Sequence, residues 1–432
     1  MNKLSLLILI LLFINNCSIN KNQRFWGESP IKVEESANKK KILTKQTKEE
    51  QEINPYTVIK ISEGKFGKKF NNNQNNIGEI SYEGKLEKVG KYNFSKFDDF
   101  AYIDVQPIFY NDYVIFSDNK GAIIIYDQNQ KIIWKKNFYS KSEKKLKPRL
   151  NFAIHKNILI VTDDVAKYYA INIETGDIIW SKNNIVPFNS EIKIKENSFY
   201  VVDYKNILRS ILIKDGSEVW NLKTDEALTK SNTKISIVIE NDNIYFNNSI
   251  GDITAVNLKS GQLVWQLPTQ SNNVTKNAFQ LSNSKLVIDK DSILFSNNKN
   301  EFYSIDTITG LINWKNEISS DLKPIVIDEF IITLSAKGYL YIIDKKKGNI
   351  IRINDLHKNY KIKKRDNIST TGFFIAQGKV YLTNSDGKLI IAKLSTGDIL
   401  NISKISGDKI LKPHVNNGYL FLIKNGSIIK FN

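Results

Sequence analysis

Glu174-Thr175-Gly176-Asp177-Ile178-Ile179-Trp180 has few neighbours of its kind in ordinary proteins, but it has several in this chain. Lys214-Asp215-Gly216-Ser217-Glu218-Val219-Trp220, Lys259-Ser260-Gly261-Gln262-Leu263-Val264-Trp265 and Ile308-Thr309-Gly310-Leu311-Ile312-Asn313-Trp314 repeat it. Upstream, Asn129-Gln130-Lys131-Ile132-Ile133-Trp134 is the same motif with Gln in place of Gly. Two degenerate copies follow, Lys347-Gly348-Asn349-Ile350-Ile351-Arg352 and Thr396-Gly397-Asp398-Ile399-Leu400-Asn401. From Gly176 onward the glycines are spaced 40, 45, 49, 38 and 49 residues apart. That period suits a four-stranded propeller blade rather than a helical repeat.

The punctuation inside each unit agrees. Pro107 to Tyr110 reads as a short inner strand, Tyr113 to Ser117 as a second, and Asp118-Asn119-Lys120-Gly121 as a turn. Ala122 to Tyr126 is a third strand and Lys131 to Lys136 the fourth, which carries the Trp. Short β-branched and aromatic runs separated by Asn, Asp and Gly are hairpin signals. The motif glycines Gly176, Gly216, Gly261 and Gly310 are expected at positive φ, which glycine alone tolerates freely. Trp134, Trp180, Trp220, Trp265 and Trp314 are expected to leave the outer strand and dock on the neighbouring blade. The last unit supplies only three strands: Pro413 to Val415, Tyr419 to Ile423, and Ser427 to Phe431. Its fourth must come from elsewhere, or the blade exposes an unpaired edge. The segment between Lys85 and Phe94 stands where that strand is needed. The expected fold is therefore all-β: an eight-bladed β-propeller of four-stranded antiparallel blades, closed by an N-terminal strand.

Composition fits one large repeat domain. The chain has 432 residues, an apolar fraction of 41%, and 22 Phe and 19 Tyr to build a core. One Cys and three His exclude a disulfide framework and a zinc ribbon. The net charge of +17 is mostly lysine scattered among Asn and Ile, the pattern of a solvated surface. With no basic helix, nucleic acid is not an expected partner.

The first residues set the compartment. Met1-Asn2-Lys3 precedes an apolar run from Leu4 to Ile14, too short to span a bilayer and suited to a signal peptide. Cys17 follows, and residues 1–16 with Cys17 resemble a bacterial lipoprotein signal in which that cysteine is acylated. By the rule of that class, Ser18 favours the outer membrane. Residues 17–78, with Lys39-Lys40-Lys41 and the tract Asn71-Asn72-Asn73-Gln74-Asn75-Asn76, are polar and aperiodic and read as a flexible tether. The propeller is expected over 79–432.

The repeated Gly-x-x-x-Trp pattern resembles the quinoprotein-like propeller repeat, found in pyrroloquinoline-quinone-dependent alcohol dehydrogenases and in the BamB family of outer-membrane assembly lipoproteins. The lipoprotein signal on a free-standing propeller is similar to the BamB layout. That resemblance implies a lipid-anchored periplasmic scaffold on the outer membrane. Its partners would be the barrel-inserting subunit of the β-barrel assembly complex and outer-membrane protein substrates. The contact would run through the loops Lys223 to Lys234 and Pro268 to Lys285, where Leu228, Lys230 and Asn283 match the family's Leu, Arg and acidic positions. The Lys loses the bidentate fork of Arg and the Asn loses a charge.

The rival reading is a quinone-dependent dehydrogenase or a ligand-binding periplasmic propeller. The dehydrogenases hold their cofactor over adjacent cysteines beside a calcium ion, which takes six to eight oxygen ligands. With one Cys in the chain that disulfide is unavailable. No EF-type loop, HExxH, GxSxG, GxGxxG or P-loop occurs. His155, His357 and His414 are far apart in sequence and lack acidic neighbours in register. No catalytic residue, metal or cofactor is expected.

Overall fold

The computed structural model describes residues 52–53, 59, 75–225, 233–269 and 281–432. Among them are eight four-stranded antiparallel sheets. Blade 1 is Ile108–Tyr110, Tyr113–Ser117, Ile123–Tyr126 and Ile132–Lys136, ordered from inner to outer strand. Blades 2 to 7 repeat that order over 150–183, 193–223, 237–267, 287–316, 325–355 and 370–404. Blade 8 takes His414–Asn416, Tyr419–Lys424 and Ser427–Phe431 from the C-terminal part and its outer strand, Lys88–Asn93, from the N-terminal part. Lys91, Tyr92 and Asn93 lie opposite Ile429, Ile428 and Ser427. The expected propeller and its closing strand are both present.

The core lies between blades. Ile123–Tyr126 is buried at every position, because a middle strand has a neighbouring blade on each face. Ile115, Ile123 and Ile125 of blade 1 pack against Leu159, Val161 and Tyr169 of blade 2, and similar clusters recur around the ring. At the closure, Tyr92 and Phe94 pack with Phe116 and Tyr126 of blade 1 and Phe421 of blade 8. The closing strand therefore contributes main-chain pairing and aromatic burial together.

The outer strands do not alternate, and a bulge explains why. In blade 2, Trp180 lies opposite Ala170 while Ile178 lies opposite Ile171, so Ile179 is extra. The same shift recurs in the outer strand of blades 1 to 7. An extra residue rotates the strand. It leaves adjacent apolar pairs such as Ile178 and Ile179 facing solvent and turns the Trp onto the next blade. There the Trp180 indole N–H donates to the Ile213 carbonyl (2.8 Å) and its ring covers Gly216. Trp134, Trp265 and Trp314 donate likewise to the carbonyls of Ile173, Thr307 and Lys345. Each of Gly176, Gly216, Gly261, Gly310 and Gly348 sits under the Trp of the preceding blade at φ between 70° and 72°.

At the junction of blades 8 and 1 the pair is inverted. The closing strand has its own bulge at Val89, which puts Gly90 where the outer strands of blades 1 to 5 carry Trp. The facing turn of blade 1 has Gln130 instead of Gly, at φ 64°, and its side chain lies over Gly90. Large and small residues have changed sides while the contact is kept.

Residues 75–82 enter the ring rather than lying outside it. The innermost strand of every blade leaves one main-chain edge unpaired toward the axis. The Asn76 side-chain amide donates to the Val326 carbonyl (3.0 Å) and accepts from the Val326 N–H (3.1 Å), imitating a strand partner in blade 6. Asn75 donates to the Ile239 carbonyl of blade 4 (2.9 Å), and the Ile80 N–H donates to the Ile375 carbonyl of blade 7 (2.8 Å). The end of the asparagine tract, assigned above to the tether, thus hooks onto the inner edges of blades 4 and 6, and Ile80 adds a hold on blade 7.

Gly261→Ala tests the docking. An added Cβ at Gly261 would lie 2.5 Å from the Trp220 ring, whereas at Gly418, also at positive φ, it would meet nothing within 4 Å. Gly418→Ala should cost about 1–2 kcal/mol for the left-handed backbone alone. Gly261→Ala should cost clearly more in urea denaturation, because the Trp must also move.

Candidate functional site

In a propeller the connections from an outer strand to the next inner strand share one face with the turns between second and third strands. Those turns are built alike. Asp163 Oδ1 accepts from the N–H groups of Val165 and Lys167, Asp203 Oδ1 from Lys205 and Ile207, and Asn248 Oδ1 from Ile250 and Asp252. A short side chain that satisfies its own turn makes a stiff rim. Rigid scaffolds with loops on one face are where binding function is found.

The two loops of interest open on this face. Leu228 and Lys230 lie outside the described residues, as does Cys17. The ends of the loops are described, and they meet. Thr233 Oγ1 donates to the Leu281 carbonyl (3.4 Å), and Ser282 Oγ donates to Asp321 of the following connection (2.7 Å). Asn283 is 4% exposed and bridges Asn297; its side-chain oxygen is buried without a hydrogen bond. At this position the half-buried Ser282, rather than Asn283, offers surface to solvent.

The same connections deliver lysines to the inner rim. Lys285, Lys323 and Lys412 each stand two residues before an inner strand, and Lys193 opens one. With Lys234 they line two adjoining cavities at the axis, together with the carboxylates Asp104, Glu191 and Asp321. Glu191 pairs with Lys285 and, at 3.5 Å, with Lys193. Lys234 donates to Asn151 (2.7 Å). Sequence reading missed this convergence, although lysine two residues before three of the inner strands was a visible signal.

Crowding of like charges shifts these groups. Crowding by neighbouring atoms by itself raises the carboxyl of Asp104, a residue still exposed to solvent, but Lys412, Lys285 and Lys234 outweigh it and hold it far below the usual carboxylate range. Glu191 behaves likewise, against burial, through Lys285 and Lys193. Burial and the Lys193 charge, resisted by Glu191, pull Lys323 down to about 7. Lys285 and Lys412 line the same cavity. Burial opposes charge on both, but Glu191 and Asp104 keep Lys285 protonated, and Lys285 then drives Lys412 toward the neutral amine.

The histidines are dispersed. His155 ends the inner strand of blade 2, His414 begins that of blade 8, and His357 is buried beyond blade 6 with Nε2 3.2 Å from Asn384 Oδ1. Among the described residues no three His, Cys, Asp or Glu side chains are grouped to hold a metal ion, and no helix is long and apolar enough to cross a membrane. A calcium-bound quinone needs adjacent cysteines and a carboxylate-rich oxygen set. The axis presents ammonium groups instead, so these residues do not fit that cofactor.

The family model described as outer membrane protein assembly factor BamB matches residues 119–354. BamB of Shewanella oneidensis is 20% identical over 256 residues, 55% of this chain and 59% of that protein. BamB of Yersinia pestis is 20% identical over 327 residues, 74% of this chain and 71% of that protein. The chain thus spans less than two thirds of the Shewanella relative. In structure it is similar to BamB from Moraxella catarrhalis, with a TM-score of 0.64 and 15% identity over 80% of this chain and 99% of that one. The quinohemoprotein alcohol dehydrogenase ADHIIG from Pseudomonas putida HK5 shares the fold, with a TM-score of 0.57 and 12% identity over 85% of this chain and 78% of that one. The family model covers more than half of the chain, with repeats, blade order and N-terminal closure all in place: the chain belongs to the BamB family of outer membrane protein assembly factors.

Proposed function

We propose that the chain is a non-catalytic scaffold of the outer-membrane β-barrel assembly machinery, held at the periplasmic face of the outer membrane by acylated Cys17. Residues 17–78 are its tether, with Ile53 paired to Ile353 of blade 6, Ile59 buried against blades 6 and 7, and Asn75 and Asn76 fastening its end to the ring. The observation that carries this reading is the family match together with the joined ends of loops 223–234 and 268–285 on one rigid face. Two adjacent loops fixed by a stiff ring present a partner with a surface that loses little entropy on binding. Leu228 supplies an apolar anchor and Lys230 a charge at its rim. Outer-membrane protein substrates are proposed as further partners.

The quinone-dependent alternative gains nothing from this chain's own residues, since its similarity to the dehydrogenase is one of fold. Incubation of the purified protein with the quinone and calcium should give neither a cofactor absorbance band nor alcohol oxidation.

Affinity recovery in mild detergent should bring down the barrel-inserting subunit. Leu228→Asp with Lys230→Glu should reduce that recovery by about tenfold or more, as expected for an interface anchor. Wild-type protein recovered without any assembly subunit would refute the assignment. Cys17→Ala should move the protein from the membrane to the soluble fraction, and unchanged membrane retention would count against lipidation.

A further inference from the structure

The lysines at the axis have no part in the scaffold reading. Lys193, Lys234, Lys285, Lys323 and Lys412 come from the entries to blades 3, 4, 5, 6 and 8. Against these five lysines the described cavity walls hold three carboxylates, Asp104, Glu191 and Asp321. Full protonation would leave two more positive than negative charges, and burial and repulsion press Lys412 and Lys323 toward the neutral amine instead. Concentrating surplus ammonium groups inside a protein is costly unless an anion accompanies them. Lys285 and Lys412 make the point locally, since both line the larger part of the cavity, where the charge of one raises the cost of protonating the other.

The cavity has the form of a cup. Its larger part is about 170 Å³, enough for a small polyatomic anion. Ile77 lines its wall, and the neighbouring Asn75 and Asn76 are fastened to the inner edges of blades 4 and 6. Chain therefore crosses the axis beside the lysines.

We propose that this cup is a binding site for a phosphate-type dianion, held by Lys285 and Lys412 with Lys193 and Lys323 around it. A tetrahedral oxyanion accepts hydrogen bonds from several directions at once, which suits compact ammonium donors arriving from different blades. Its negative charge would favour the protonated forms of Lys412 and Lys323. The free ion and the phosphoryl end of a larger molecule share this chemistry. The position of the cup beside loops 223–234 and 268–285 would let the anion set the charge of the partner-binding face.

The test is thermal unfolding of the full-length protein in mild detergent at pH 7.5. It is titrated with inorganic phosphate, with glycerol 3-phosphate, and with sodium chloride at matched ionic strength. Phosphate should raise Tm with a saturable dependence, by ligand linkage, and chloride should not. Equal stabilisation by glycerol 3-phosphate identifies a phosphoryl headgroup as an acceptable occupant, and stabilisation by phosphate alone identifies the free ion. Lys412→Gln should raise the Tm of the unliganded protein by removing an amine whose protonation there is opposed by burial and by Lys285. It should also weaken phosphate binding by about tenfold or more, the loss expected for one charge-assisted hydrogen bond. Lys323→Gln provides a second variant with the same pair of opposite effects. Phosphate and glycerol 3-phosphate acting no differently from chloride, or both variants binding phosphate as tightly as the parent, would overturn the site. Neither result bears on recovery of the barrel-inserting subunit, so the two readings fail separately.

Discussion

A ring of sheets is only as stable as its last joint. Every junction from blade 1 to blade 8 is made between consecutive stretches of chain, but the joint that completes blade 8 unites residues more than 300 positions apart. Lys88–Asn93 must find Ser427–Phe431, and until it does blade 8 offers an open edge. Pairing of distant segments is entropically slow to form. Once formed, it is buttressed by Tyr92, whose ring packs edge-on against Tyr126 of blade 1 and touches Phe421 of blade 8. The same N-terminal segment closes the ring at its rim and crosses the axis at Asn75–Ile77, so one stretch of chain contributes to both the closure and the wall of the axial cup.

The Trp-on-Gly contact makes the five junctions from blade 1 to blade 6 alike. It needs a bulge to turn the Trp, a left-handed turn to lower the opposing main chain, and no Cβ in between. Three separate sequence requirements are thereby tied to one contact, which explains why the motif is so legible. The inverted pair Gly90 and Gln130 shows that the contact constrains summed volume rather than residue identity. Blade 6 departs further: Arg352 takes the Trp position, and the glycine of the next turn, Gly397, lies against Asn354 instead.

The blades could be read from the sequence because hairpin punctuation and the Gly-x-x-x-Trp spacing are local signals. The closing strand could be inferred because the last unit was one strand short. What escaped was everything that depends on bringing distant blades to a common axis. Lys193, Lys285 and Lys412 are unremarkable in a chain with many lysines, and only ring geometry makes them neighbours. Asn75 and Asn76 looked like low-complexity tether, since nothing local distinguishes an amide that solvates itself from one that caps a strand edge. Asn283 matched a family contact position by spacing, yet its burial depends on Asn297 in the hairpin opposite.

One measurement bears on the single closed ring most directly: native-state hydrogen exchange of the amides in 88–93 and 419–431. If the ring is closed by this strand, both segments are protected and open together with the rest of blade 8 at a free energy near that of global unfolding. Exchange of 88–93 at the rate of a free peptide, with 427–431 losing protection well before the neighbouring blades, would contradict the account.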